Sequence, residues 1–262
     1  MKTISIINLK GGVAKTISAV NMAHILAAIH GKRVLLVDND KQGNISKMLG
    51  IHGYDRPTIA ELLTGRGADI YEIITPSAYA GLDIIPANMT LLRANAEVML
   101  DAARPQQTRL RAALNRVAGG YDYCVIDNAP DLNISTINAL VASDDVLIPI
   151  KIDKFALDGL TELKEQIDIT QEGLNPGLNL RGCFVTCYQN NAVNQHWEKW
   201  LRGQREYPMF NAHIRRTEKV TESTFESKPI IEHSRWCNAA RDYIALVDEY
   251  LNVSDSDTEG GV

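Results

Sequence analysis

The sequence predicts an α/β protein: a doubly wound, mostly parallel sheet flanked by helices. Three observations predict it. Apolar runs of strand length alternate with helical patterns along the chain, the order that builds βαβ units. Those runs are apolar throughout, as strands covered on both faces require. A glycine-rich turn with two lysines joins the first run to the first helical pattern, and ligands of such sheets sit at the carboxyl ends of the strands.

In chain order, the expected strands are Thr3–Asn8, Arg33–Val37, Leu82–Ile85, Tyr123–Asp127, Val146–Ile150 and Leu180–Thr186. The expected helices are Thr16–Ile29, Leu91–Ala102, Gln107–Val117, Ile134–Ala142, Leu157–Thr170, Asn194–Gly203 and Arg235–Leu251. With no internal repeat and no Pro/Gly-rich linker, residues 1–252 read as one domain. Residues 253–262 are acidic and glycine-ended, which predicts a disordered tail.

Composition narrows the function classes. The chain has 262 residues, 45% apolar and 23% charged, with a net charge of −5. That charge argues against a general basic coat for nucleic acid but leaves room for a local patch. No apolar run approaches the ~20 residues that span a bilayer. The first residues enter a strand directly, without a charged-then-apolar signal segment or a preceding operator-reading domain. A cytoplasmic protein is expected. Cys124 lies in an apolar run and reads as a small buried hydrophobe. Cys183 and Cys187 lie four apart in an expected strand, on one face. No CxxC or neighbouring histidine pair supports a metal there.

The turn itself reads Lys10-Gly11-Gly12-Val13-Ala14-Lys15-Thr16. Free backbone N–H groups and the helix dipole make such a strand-turn-helix junction attractive to polyphosphate. One lysine suffices for the outer phosphates of a nucleotide, so the second needs its own role. The ordinary pattern G-x-x-x-x-G-K-[ST] is not met, because Leu9 and Ala14 take the glycine places. A left-handed backbone at Ala14 would cost ~1–2 kcal/mol relative to glycine. Two more motifs close strands with carboxylates: Val37-Asp38-Asn39-Asp40-Lys41-Gln42-Gly43-Asn44, and Tyr121-Asp122-Tyr123-Cys124-Val125-Ile126-Asp127-Asn128-Ala129-Pro130. Each alone reads equally well as a polar turn after a strand.

Together these motifs resemble the ParA/MinD family of deviant Walker A ATPases, whose pattern is Lys-Gly-Gly-x-x-Lys-Thr. The resemblance runs from Ile4 to about Leu251. It implies ATP and Mg²⁺ as cofactors. Gly11, Gly12, Val13, Ala14, Lys15, Thr16 and Ile17 would surround the nucleotide, with Lys15 on the β- and γ-phosphates. Thr16, Asp38 and Asp127 would serve the metal, Asp38 also positioning the attacking water, with Asp40 near the switch loop. Lys10 becomes the signature lysine, reaching the partner subunit's nucleotide in an ATP-sandwich dimer. Phe155-Ala156-Leu157-Asp158-Gly159-Leu160 resembles a later family stretch. Gln189 and Asn190 follow a strand where the family places adenine contacts; a polar surface turn is the alternative. Three departures stand out: Ala14, Lys41 where the family usually has proline, and Asn128-Ala129 in place of (Thr/Cys)-Pro.

The stretch His196–Lys219 holds six lysines and arginines against three glutamates in an otherwise acidic chain, with Trp197, Trp200 and Tyr207 interleaved. The helical spacing of the two tryptophans suits packing. By resemblance, Arg215, Arg216 and Lys219 would bind DNA without reading its sequence. The implied function is a partition ATPase for plasmid or chromosome segregation, dimeric on ATP, nucleoid-associated and stimulated by a ParB-like protein. A nucleotide-gated DNA-binding or positioning module with little turnover is the alternative. A MinD-like membrane role is the other, but the acidic C-terminal end is unlike MinD's basic amphipathic helix.

Overall fold

A seven-stranded sheet runs through the computed structural model, which describes residues 1–65, 69–153 and 158–259. Its strands are β1 (Lys2–Ile6), β2 (Val34–Asn39), β3 (Thr75–Pro76), β4 (Leu82–Ile85), β5 (Tyr123–Asn128), β6 (Asp145–Lys151) and β7 (Asn179–Thr186). Across the sheet the order is β3-β4-β2-β5-β1-β6-β7. All six expected strands form, and they pair in parallel. The unexpected β3 is a two-residue antiparallel edge against β4, where Pro76 is tolerated because an edge strand has a free side.

The strands alternate their side chains between two cores. Ile4, Ile6, Val34, Leu36 and Val125 meet Val20 and Leu26 of the first helix and Tyr243 and Val247 of the last on one face. Leu35, Val37, Cys124 and Ile126 meet Leu91, Leu110 and Ile134 on the other. Cys124 is fully buried as expected, and burial pushes its thiol pKa up.

The connection leaving β1 crosses to β2, while that leaving β5 crosses β1 to β6. Their carboxyl ends therefore form a topological switch point, where sheets of this type bind ligands. The glycine-rich turn occupies it.

Several short helices escape the periodicity reading. One, Ile59–Thr64, carries a complete capping box from Thr58 and Glu61, a local signal that the sequence does contain. The last helix runs Asn238–Glu259, beyond the expected end at Leu251 and through most of the stretch read as a tail. No glycine or proline interrupts it before Gly260. Its Tyr250 hydroxyl donates to Asp145 Oδ2 at 2.8 Å, and Tyr243 meets Ser18 Oγ at 3.1 Å.

Cys183 and Cys187 do not share a strand face. β7 ends at Thr186, and Cys187 turns left-handed with φ +53°. That reversal lets Tyr188 N reach Ile214 O at 2.9 Å.

Candidate functional site: a phosphate loop facing two buried carboxylates

The loop after β1 is held from both sides. Asn8 donates to Pro149 O at 2.8 Å and accepts from Lys10 N at 2.9 Å. The buried Val13 accepts from Thr186 Oγ1 at 3.0 Å. Gly12 has φ +72° and no atom within 4 Å of where a Cβ would stand. Ala14 has φ +65° and ψ +29° at the N-cap of the helix Lys15–Ala28. The left-handed strain expected there is present. Lys15 is buried, and its Nζ donates back to Lys10 O at 2.9 Å. Burial lowers its pKa, opposed by the charges of Asp127, Asp40 and Asp131. Ile17 packs on the first core. Lys10 points elsewhere: its ammonium pairs with Asp153.

β2 and β5 set the two carboxylates side by side, Asp38 in register with Asp127. Asp38 is fully buried. Its Oδ2 accepts from Ser46 N at 2.9 Å and Ser46 Oγ at 2.7 Å. Burial nonetheless pushes its pKa up to about 6. Asp127 accepts a hydrogen bond from the Thr16 hydroxyl, and burial, then the charge of Asp38, hold its carboxyl well above the usual range. Asp127 Oδ1 has no partner. Asp40 is buried and accepts from Gln42 N at 2.9 Å.

Among the described residues no group of three His, Cys, Asp or Glu side chains could hold a metal. The residues at the loop fit Mg²⁺ held in another way. That ion keeps waters and takes one or two protein oxygens together with substrate phosphate. The Thr16 hydroxyl beside an orphaned, charge-starved Asp127 oxygen is such a donor set.

Beside the loop lies a cavity of about 200 Å³ lined by Ala14, Thr186, Cys187, Tyr243 and the run Ile214–Glu218. Gln189 and Asn190 do not line it. Gln189 N reaches Asn194 Oδ1 at 3.4 Å, and Asn190 Oδ1 accepts from Gln195 at 2.8 Å. The reversal at Cys187 carries them off, and the backbone pairing of Tyr188 with Ile214 brings in the later segment. The two stretches meet only in space, so no local pattern in the sequence announces the cavity.

In the basic stretch, the Arg215 guanidinium is clasped by Asp242 with a shortest contact of 2.6 Å. Lys219 pairs with Glu222 at 2.6 Å. Arg216 is exposed and has no carboxylate partner among the described residues. Trp197 and Trp200 pack edge-to-face on each other at 5.7 Å, both partly exposed. Phe155, Ala156 and Leu157 lie outside the described residues.

The AAA domain family matches residues 1–180. The chain is 36% identical over 256 residues to the chromosome partitioning protein ParA of Caulobacter vibrioides, covering 96% of this chain and 94% of that one. The chain belongs to the ParA/MinD family of P-loop ATPases. It is also 37% identical to the sporulation initiation inhibitor protein Soj of Bacillus subtilis, over 95% of this chain and 97% of that one. Solved ParA/MinD folds superpose along its length. Cobyrinic acid a,c-diamide synthase from Mycobacterium smegmatis, with bound ADP and magnesium, matches with TM-score 0.84 and 28% identity over 98% of this chain and 96% of that one. The septum site-determining protein MinD of Pyrococcus horikoshii, complexed with Mg-ADP, matches with TM-score 0.77 over 95% of both chains. At 22% identity the latter speaks for the fold alone. Among the described residues no helix is long and apolar enough to cross a membrane.

Proposed function

We propose that this chain is a partition ATPase. It dimerises on ATP, binds DNA without sequence preference in that state, and hydrolyses ATP slowly when a ParB-like protein stimulates it. The observation that carries the reading is the half-built cation site: Thr16 on Asp127, with Asp127 Oδ1 unsatisfied, beside a buried Lys15. A polyphosphate with its cation would complete it. The relatives named for chromosome partitioning support the segregation role, and a cytoplasmic, nucleoid-associated location is part of the same reading.

Bound there, Mg²⁺ supplies charge neutralisation at the phosphates. Thr16 and Asp127 would hold it. Lys15 sets its cation against the outer phosphates and loses its bond to Lys10 O in doing so. Asp38, with a proton affinity raised toward neutrality, orients the attacking water and accepts its proton. Lys10 exchanges Asp153 for the phosphates across the dimer, where a cation supplied in trans stabilises the transferring group as an arginine finger does. The exposed Arg216 and its neighbours make phosphate contacts that a dimer doubles.

The grip of Ser46 on Asp38 favours one second reading, a nucleotide-gated module with little turnover. Phosphate release with DNA and activator present separates the two. The test of the leading reading is Lys10→Ala under sedimentation. It should bind ATP as before yet remain monomeric with ATP. An intact ATP dimer overturns the trans role. A gel shift on long duplex DNA at low salt that requires ATP supports the DNA role, and its absence overturns it.

A further inference from the structure

Two departures from the family pattern face each other at the mouth of the site. β2 ends on Asn39 and the turn after it carries Lys41; β5 ends on Asn128 and the turn after it carries Asp131. Because Asn39 and Asn128 are in register, the two turns leave the sheet side by side. The buried Asn39 Nδ2 donates to Asn128 Oδ1 at 2.9 Å and to Ser135 O at 3.1 Å. Asn128 donates in turn to Ile6 O at 3.2 Å, the last residue of β1. Further out, Lys41 Nζ meets Asp131 Oδ2 at 3.1 Å, both half-buried.

Asp131 is a fixed anchor. Its other oxygen accepts from Asn133 Nδ2, and its carbonyl accepts from Thr136 Oγ1 at 2.9 Å. Asn133 caps the helix Ile134–Ala142. Lys41 thus hangs the β2 turn on a helix N-terminus across the site. Proline at 41, and a second proline at 129, would restrict these turns through their own φ angles. Lysine and alanine do not. Contacts between the turns replace that local stiffness.

We propose that Lys41 and Asp131 are a positioning pair, whose ion pair holds together the turns that follow Asp38 and Asp127, beside Lys15, at the spacing that admits a third phosphate. The proposal rests on the ATPase reading. An ion pair this exposed adds little to global stability, so its effect is read in nucleotide discrimination and turnover.

The experiment compares the full-length native chain with Lys41→Met, Asp131→Asn, their double variant, and the swap Lys41→Asp with Asp131→Lys. The dissociation constants of Mg-ATP and Mg-ADP are measured with fluorescent analogues, alongside kcat and KM for phosphate release and Tm. Each single variant should lower the ATP-over-ADP affinity ratio and kcat about fivefold, leaving ADP affinity and Tm unchanged. The double variant should be no worse than either single, and the swap should recover to within about twofold of native. Singles that match native overturn the proposal, as do losses that add in the double variant without rescue by the swap. A loss in Lys41→Met alone would assign Lys41 to phosphate directly and overturn the pair. A native chain that binds no nucleotide overturns the ATPase reading and the proposal with it. A native chain that binds and hydrolyses ATP while the variants match it overturns the proposal alone.

Discussion

The carboxyl ends of β1, β2 and β5 and the basic stretch His196–Lys219 both gather charge, and they treat it in opposite ways. At the strand ends, Lys15, Asp38 and Asp127 are buried, and Asp127 Oδ1 has no hydrogen-bond partner. Two central strands and the start of the first helix hold them there against desolvation, so two carboxyls are pushed up and the ammonium down. At the sheet edge the six cations are in or near water, and three of them are paired off: Arg202 with Glu198, Arg215 with Asp242, Lys219 with Glu222. Unsatisfied buried charge stores free energy that a ligand of the right charge releases. Paired surface charge stores little and answers mainly to salt. The first region suits a small polyanion that arrives with its cation; the second offers what its pairs leave over.

The sharpest way to break this contrast is Lys15→Ala. Loss of a charge-assisted, buried contact should weaken ATP binding about 100-fold with little change in fold, checked by nucleotide titration and circular dichroism. A change within threefold would place the phosphates elsewhere. Next comes the stored strain at Asp38. Its pKa rises from 3.8 to about 6 in the nucleotide-free protein. The neutral form is therefore the one folding favours: its stabilisation is complete below 3.8 and disappears as pH rises through about 6. Relative to Asp38→Asn, the native chain should lose on the order of 1–3 kcal/mol across that window, read from urea unfolding at several pH values. Equal pH profiles would show that Asp38 carries no such strain.

Ala14→Gly tests strain of another kind. With φ +65° at this position, glycine should stabilise the fold by about 1 kcal/mol, net of its greater unfolded freedom, seen as a Tm rise of about 2–4 °C. An unchanged or lower Tm would mean that the loop accommodates alanine freely. The smallest effect belongs to the edge. Arg216→Ala should weaken DNA binding a few-fold and reduce the salt slope by about 1. Arg215→Ala should act more on stability, because it strands the Asp242 carboxylate. If Arg215 proves the stronger DNA contact, the paired cations are not spoken for, and the contrast between the regions fails.

The strands, the phosphate loop and the carboxylates that close β2 and β5 were legible residue by residue, because their signals are local. Apolar runs, a Lys-Gly-Gly turn and an aspartate at a strand end are backbone and burial rules written in a few consecutive positions. The strain at Ala14 was legible for the same reason: the loop geometry demands a left-handed residue whichever side chain stands there. The cavity beside the loop was not. Its walls include Cys187 and Arg215–Thr217, joined by a backbone pairing that no periodicity announces.

What the sequence determined by itself was thus the sheet, the glycine-rich turn at its switch point, and the chemistry that turn and the strand-end carboxylates offer. Tertiary structure decided the partners of the charges: Lys10 with Asp153, Lys41 with Asp131, Arg215 with Asp242, at separations of 143, 90 and 27 residues. Local sequence sets backbone conformation and burial pattern. The partner of a charge depends on which distant segments the closed sheet brings within a few ångströms, and that is known only once the chain has folded.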